Sequence, residues 1–348
     1  MICDSFVFDP RPDYQFRLAV KRYRHRVCHN TDDDALTLIF AHCVGGHKEQ
    51  WELTLDYLFD AASRHPSFKI REAWSIDAPE HGDSAILNDH LLTSAMDWRP
   101  ESSWCWENSA RCTHMFLSGL GHGVDVDFRT RRLVVVGHSL GGITSVLSTV
   151  YYPRVDFAAM LLIEPMIIRK PKPGESNLEF SESIAKRKDV WDSPEAAFRY
   201  FSSSLQWKSW DPRALKIYAE HALRTLPTET YPDRNTGVTL KCPRRLEAAL
   251  YRERLCSLRA FEYLQVLCQR IPVHIILGEH ADFIPRSFLQ DIPTLGTRGH
   301  HASLRFVPGA GHLLVQTHPE ATAEAIAAAL EHDGARSNVA EKGKLAKL

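Results

Sequence analysis

RLVVVGHSLGGITSVLSTVYY (residues 132–152) sets a β-branched apolar run, a Gly-x-Ser-x-Gly pentapeptide and a helically spaced stretch end to end. The spacing predicts a buried strand over 132–137, a tight turn, and a helix. Gly137 and Gly141 permit a turn sharp enough to lift the Ser139 hydroxyl above a sheet. The helix N-terminus and the Leu140 amide favour negative charge at that point. A glycine-rich turn kept only for packing is the competing reading, and the strand-to-helix setting favours a nucleophile.

Outward from this stretch the chain alternates strands and helices. Residues 14–24 alternate polar and apolar like an edge hairpin, and apolar runs at 36–44, 69–77, 157–164, 271–278 and 302–309 read as strands. Short Val/Ile/Leu runs separated by helical stretches imply an α/β fold with a mostly parallel sheet covered on both faces. Residues 90–116, with Trp98, Trp104 and Trp106, form a long connection. Residues 165–268 are about a hundred positions, too long for a simple crossover. Within them PEAAFRYFSSSLQWKSWDPRALKIYAEHAL (194–223) has helical periodicity. The expected organisation is a core of 1–164 and 269–330, a helical cap of 165–268, and a flexible polar tail of 331–348.

Composition narrows the function. The chain has 348 residues, 44% hydrophobic and 24% charged, with Lys+Arg 42 against Asp+Glu 43 and a net charge of −1. Such balance gives no general attraction for nucleic acid or anionic lipid, so no nucleic-acid partner is expected. No apolar run approaches the ~20 residues of a membrane span, and the start lacks a signal pattern, so a soluble, non-exported protein is expected. Eight cysteines without a CxxC pair read as reduced thiols. His300 and His301 are adjacent and no HExxH exists, so neither a metal nor a cofactor is expected.

A serine needs a base, and among 18 histidines His312 follows Pro-Gly-Ala-Gly after the last strand. The order serine, acid, histidine requires a histidine there. His300, His301 and His318 lack that placement. Two residues compete for the acid. Asp282, in GEHADFIP, lies one residue beyond the usual Gly-x-x-Asp spacing; Glu164 ends an apolar strand, where an ionised carboxylate needs a partner. The reading favours Glu164, with Asp282 as the alternative. Leu140 and Val44, the latter in AHCVGGHKEQW (41–51), are the expected oxyanion donors. Cys43 there replaces a usual glycine, which leaves the local backbone open; as a rival nucleophile it has no neighbour that would lower its pKa. DAPEHGDS (77–84) reads as structural packing beside the site.

Basic clusters at Arg169, Lys170 and Lys172, at Lys186, Arg187 and Lys188, and at Arg244 and Arg245 read first as solvated faces. The functional alternative is a rim for coenzyme A phosphates. Tryptophans 98, 104, 106, 191, 207 and 210 together suggest an apolar acyl chamber under the cap. Ala346-Lys347-Leu348 is a conservative variant of the Ser-Lys-Leu peroxisomal address, which predicts an import receptor as partner and a peroxisomal location.

AHCVGGHKEQW, the elbow VVGHSLGG (135–142), LLIEPMI (161–167), the cap stretch 196–223 and the terminal AKL resemble an α/β-hydrolase, and more narrowly the fungal peroxisomal hydrolases. That group contains acyl-CoA hydrolases, toxin-biosynthesis hydrolases and lipases. The resemblance implies the α/β-hydrolase fold, a Ser139–His312–acid triad, and cleavage of an acyl-CoA thioester or ester in a secondary-metabolite or toxin pathway. In one member the acid follows the sixth strand, which favours Glu164, although a Glu stands here for the group's Asp. Alternatives are a peroxisomal lipase or carboxylesterase, a cyclase using the same serine, and a non-catalytic ligand-binding protein on this fold.

Overall fold

The computed structural model describes residues 1–27, 30–64, 67–98, 105–169 and 178–345, with side chains for all of these except 95–98, 178 and 335–345. Eight strands form one sheet: β1 (Ile2–Phe8), β2 (Leu18–Arg24), β3 (Leu36–Ala41), β4 (Ile70–Ile76), β5 (Arg132–His138), β6 (Phe157–Ile163) and, after the insertion, β10 (Val273–Gly278) and β11 (Ser303–Val307). Their spatial order is β1-β2-β4-β3-β5-β6-β10-β11. β1 pairs antiparallel with β2, and β2 antiparallel with β4; every other pairing is parallel. The hairpin expected over 14–24 is one strand of a wider pair, because the half-exposed β1 supplies its partner.

The central strands are buried apart from Arg132 and Ala158, so their Val, Ile and Leu face helices on both sides. One core holds the helices Glu107–Ser118, Leu140–Ser148 and Leu255–Cys268 against the sheet; the other holds Glu52–Arg64 and Pro319–Leu345. Two features differ from the sequence reading. Helix Leu255–Cys268 packs Ala260, Leu264 and Leu267 into the sheet core, so the inserted unit ends before it. The chain beyond 331 is helical as far as Leu345 rather than a flexible tail, in keeping with its Ala, Glu and Lys. Residues 346–348, which carry the import reading, lie outside the described residues.

The insertion is not purely helical. Between its helices β7 (Val190–Trp191), β8 (Leu223–Thr225) and β9 (Val238–Leu240) form a small antiparallel sheet in the order β7-β9-β8. These strands are only two or three residues long, below what periodicity can detect. Trp191, Phe201, Trp207 and Tyr218 give the insertion its own core. Trp106 lies in the sheet core instead; Trp98 and Trp104 lie outside the described side chains.

A charged cluster fastens the loops at the C-terminal edge of the sheet. Lys48 Nζ meets Asp77 at 2.8 Å, Asp83 at 2.6 Å and Glu49 at 2.9 Å, and Lys241 of the cap reaches the second oxygen of Asp83 at 2.6 Å. Burial opposes the charge on Lys48, yet the carboxylates of Asp77, Glu49 and Asp83 hold its ammonium above the ordinary range. Removing one member leaves buried charge uncompensated. Lys48→Met should therefore lower the unfolding free energy by ~3–5 kcal/mol in urea titration. Lys186→Met, at a side chain 80% exposed beside Glu182, should change it by less than ~0.5 kcal/mol.

Candidate active site

The turn at Ser139 is tight enough to exclude side chains on both sides. A Cβ on Gly137 would stand 2.3 Å from the Gly141 carbonyl oxygen, and one on Gly141 would stand 2.2 Å from that of Ala41. Between them Ser139 takes φ 56° and ψ −112°, a conformation costing ~1–3 kcal/mol for a residue with a side chain. Hydrogen bonds hold it there: the Ser139 amide donates to Ile163 at 3.0 Å, and its carbonyl accepts from Gly142 at 3.1 Å and Met166 at 3.3 Å. The strain is thus fixed by the sheet beneath and by the chain leaving β6.

His312 lies between two partners. Its Nε2 stands 3.1 Å from Ser139 Oγ, and its Nδ1 stands 3.1 Å from Glu164 Oε2. Glu164 is 1% exposed, has φ 42°, and accepts the Gly278 amide on its other oxygen at 2.7 Å. Asp282, the alternative acid, is exposed and meets His312 differently: its Oδ1 accepts the main-chain N–H of His312 at 2.7 Å. Each carboxylate thus holds His312, one by the ring and the other by the backbone. His138, the variable residue of the elbow, donates from Nε2 to the His312 carbonyl at 2.8 Å. Burial pushes the His138 pKa down to about 3, so it is a neutral donor. Phe283 stacks on the His312 ring with centroids 4.8 Å apart. Nothing in the sequence spacing singled out His138 or Phe283.

The loop after β3 carries Val44 beside Ser139 in the wall of one cleft. The Cys43 carbonyl accepts from His42 Nδ1 at 2.7 Å and from the Gly46 amide at 3.0 Å. His42 Nε2 accepts from the Ala78 amide at 3.0 Å, which leaves the ring proton on Nδ1. Burial drives the His42 pKa well below its ordinary value, so the ring stays neutral. Because the peptide is planar and trans, fixing the Cys43 carbonyl also fixes the Val44 N–H pointing the opposite way. His81 Nε2 accepts from the Gly45 amide at 2.9 Å, a second imidazole bracing the same loop. Both histidines contact backbone that spacing did not connect: the segment 77–84 packs beside the site and supplies Ala78 and His81. The Leu140 amide opens its helix and has no acceptor within it.

The cleft has a volume of about 460 Å³ and reaches Ser139 and His312 at its floor. Trp207 and Trp210 line it, as does the Arg187–Glu247 ion pair, so the chamber under the cap is mixed rather than apolar. Within the basic clusters three arginines are already paired, while Lys186, Lys188 and Arg245 are exposed. Arg187 turns onto Glu247, Arg244 pairs with Asp189, and Arg169 pairs with Asp291. Lys170 and Lys172 lie outside the described residues. Among the described residues, His274, His332 and Asp333 could hold a metal ion, their donor atoms lying within 4.8 Å of one another. They join β10 to the final helix, and His274 already meets Asp333 at 2.9 Å and Ser303 at 2.8 Å. No described helix is long and apolar enough to cross a membrane.

Residues 38–325 match the alpha/beta hydrolase family. Over 220 residues the chain is 32% identical to the type I acyl-CoA thioesterase mpaH' of Penicillium brevicompactum, covering 62% of this chain and 46% of that protein. Over 139 residues it is 30% identical to the peroxisomal membrane protein LPX1 of Saccharomyces cerevisiae, covering 40% of this chain and 33% of that protein. The chain spans less than half the length of these curated relatives. Among solved structures, the S. cerevisiae peroxisomal alpha-beta-hydrolase Lpx1 superposes with a TM-score of 0.70 at 20% identity, over 96% of this chain and 88% of that one. The thioesterase domain from the curacin biosynthetic pathway gives 0.63 at 14% identity, over 94% and 99%. These two are likenesses of fold.

Cys43 lines the same cleft, but burial pushes its thiol up to about 12. At pH 8 the thiol form therefore far outweighs the thiolate. Iodoacetamide at that pH should leave the Cys43 peptide unmodified in the native protein, whereas a fluorophosphonate should modify Ser139. Peptide mapping after each treatment checks both outcomes.

Proposed function

The chain belongs to the α/β-hydrolase family, and on that premise we propose that it is a serine hydrolase that cleaves an acyl-CoA thioester. The observation that carries this reading is the relay of Ser139 Oγ, His312 and Glu164, with successive contacts of 3.1 Å and 3.1 Å at the floor of a cleft. The thioester preference is supported by the similarity to fungal type I acyl-CoA thioesterases.

In the proposed reaction Ser139 Oγ attacks the thioester carbonyl while His312 Nε2 takes its proton. Glu164 holds the His312 Nδ1–H and stabilises the imidazolium that forms. The amides of Val44 and Leu140 receive the oxyanion, the first with its direction fixed by His42. Collapse of the tetrahedral adduct expels the coenzyme A thiol, which takes the proton from His312, and leaves an acyl-serine. Water then attacks, His312 again accepting and returning a proton, and the free acid departs. Asp282 serves here as a positioning residue, since its carboxylate accepts the His312 main-chain N–H.

A peroxisomal site of action is the second part of the proposal. It is supported by the yeast relative and by the import reading of Ala346-Lys347-Leu348. A role in a secondary-metabolite or toxin pathway rests on the resemblance to fungal peroxisomal hydrolases alone.

Release of free thiol from medium-chain, aromatic and branched acyl-CoAs tests the reaction. The wild type should release it and Ser139→Ala should not. Cleavage of p-nitrophenyl esters without thiol release would move the protein to the carboxylesterases or lipases; neither activity would leave a ligand-binding protein. Glu164→Gln should lower kcat on the order of 10⁴-fold. Asp282→Asn should cost less than ~10-fold, because the amide oxygen still accepts the His312 N–H. Equal small losses would sink both assignments. A fluorescent fusion should lose peroxisomal localisation when residues 346–348 are removed; unchanged targeting would refute the import reading.

A further inference from the structure

One wall of the cleft beside Ser139 is charged and only partly satisfied. Arg187 follows the helix Leu178–Lys186, and its guanidinium grips Glu247 of the helix Arg244–Leu250 at 2.5 Å and 3.2 Å. Their side chains are 10% and 4% exposed, and both line the cleft. The carboxylate also lies against the oxyanion loop: a Cβ built on Gly45 would stand 3.0 Å from Glu247 Oε1. The pair therefore sits one residue beyond Val44.

Further polar groups face the same space. Tyr218 and Tyr251 line it, and burial raises both phenol pKa values, so each hydroxyl stays protonated. Gln316 is 1% exposed and its Oε1 has no donor among the described residues. The Arg187 Nε–H, buried as well, has no acceptor among them.

A hydrocarbon chain laid in this cleft would strip solvent from the ion pair and the phenols without replacing any hydrogen bond. Buried ion pairs contribute little to stability over apolar residues of the same size, so packing alone does not account for charge at this wall. A carboxylate fits no better, because Glu247 already cancels the charge of Arg187 and would repel a second anion. A neutral oxygen function fits. A hydroxyl can accept from either phenol and donate to Glu247, which Arg187 holds in place, and a carbonyl can accept from either phenol.

Resting on the hydrolase reading above, we propose that the acyl group of the substrate carries a neutral hydroxyl or carbonyl, recognised by Arg187, Glu247, Tyr218 and Tyr251 as specificity-determining residues. The reacting carbonyl lies at Ser139 and the oxygen function lies along the chain, away from it.

The test uses the full chain and four sets of eight-carbon acyl groups: unsubstituted, hydroxylated at each of carbons six to eight in turn, the ketones at carbons six and seven, and the terminal carboxylate. Each is offered as a coenzyme A thioester and as a p-nitrophenyl ester. The best hydroxy- or ketoacyl substrate should exceed the unsubstituted one by ~100-fold in kcat/KM, and the carboxylate should be the poorest. In the double variant Arg187→Met/Glu247→Met, which leaves no unpaired charge, the hydroxyacyl preference should fall at least ~10-fold, and in Tyr218→Phe/Tyr251→Phe the ketoacyl preference should fall to about 1. Because each preference compares two substrates on one preparation, any loss of folded protein cancels.

A wild-type preference for the unsubstituted or carboxylate chain, a hydroxyacyl preference unmoved by the first double variant, or a ketoacyl preference unmoved by the second, would overturn the proposal. Calorimetric titration of Ser139→Ala with the matching acyl N-methylamides separates recognition from hydrolysis. Tighter binding of the oxygenated amides without hydrolysis of any ester by the wild type would refute the hydrolase reading and uphold recognition. Hydrolysis without any preference would do the reverse.

Discussion

His312 must satisfy two distances at once, 3.1 Å to the Ser139 hydroxyl and 3.1 Å to the Glu164 carboxylate, from a loop that could otherwise swing. The ring itself has few means of holding that position, so its backbone is held instead. Asp282 takes the amide, His138 takes the carbonyl, and Phe283 covers one face of the ring. The serine and the acid arise from adjacent strands, β5 and β6, and the histidine from the loop after β11. A parallel sheet brings three such ends to one edge because its strands run in the same direction. The strained backbone at Ser139 and Glu164 is tolerable only because β5, β6 and β10 are fully paired beneath them.

Around that centre the chain buries more charge than stability alone favours. Lys48 with its three carboxylates, and Arg187 with Glu247, carry the desolvation cost that buried ions incur. Both sit where loops meet. The first joins the segment after β3 to residues 77–84 and, through Lys241, to the cap. The second joins two cap helices above Gly45. Cap and oxyanion loop are thus linked through ion pairs rather than by apolar packing alone, while the imidazoles of His42 and His81 tie that loop to residues 77–84.

Much of the sheet is legible in the sequence because buried parallel strands are continuous apolar runs, and the elbow because its glycines flank a serine between strand and helix. The short strands of the cap were not legible: two or three residues carry no period. Spacing alone groups Leu255–Cys268 with the cap because it reports amphipathicity and not which core receives the apolar face. The sequence does not separate Glu164 from Asp282 for a related reason. Each follows a strand, β6 and β10, and those strands are neighbours, so both carboxylates reach His312. Ring and main chain are distinguished only in three dimensions. The tryptophans alone suggest an apolar chamber, and the Arg187–Glu247 pair is invisible in the sequence because its members are sixty residues apart.

The most direct test of the account is to capture the covalent intermediate. Protein mixed with an acyl-CoA that it turns over is quenched in acid within milliseconds, and its intact mass and peptides are measured. The account predicts a mass gain equal to the acyl group on the Ser139 peptide, decaying as free acid appears, and no gain in His312→Ala. An acyl adduct on another residue, or steady thiol release that persists in Ser139→Ala, would contradict it.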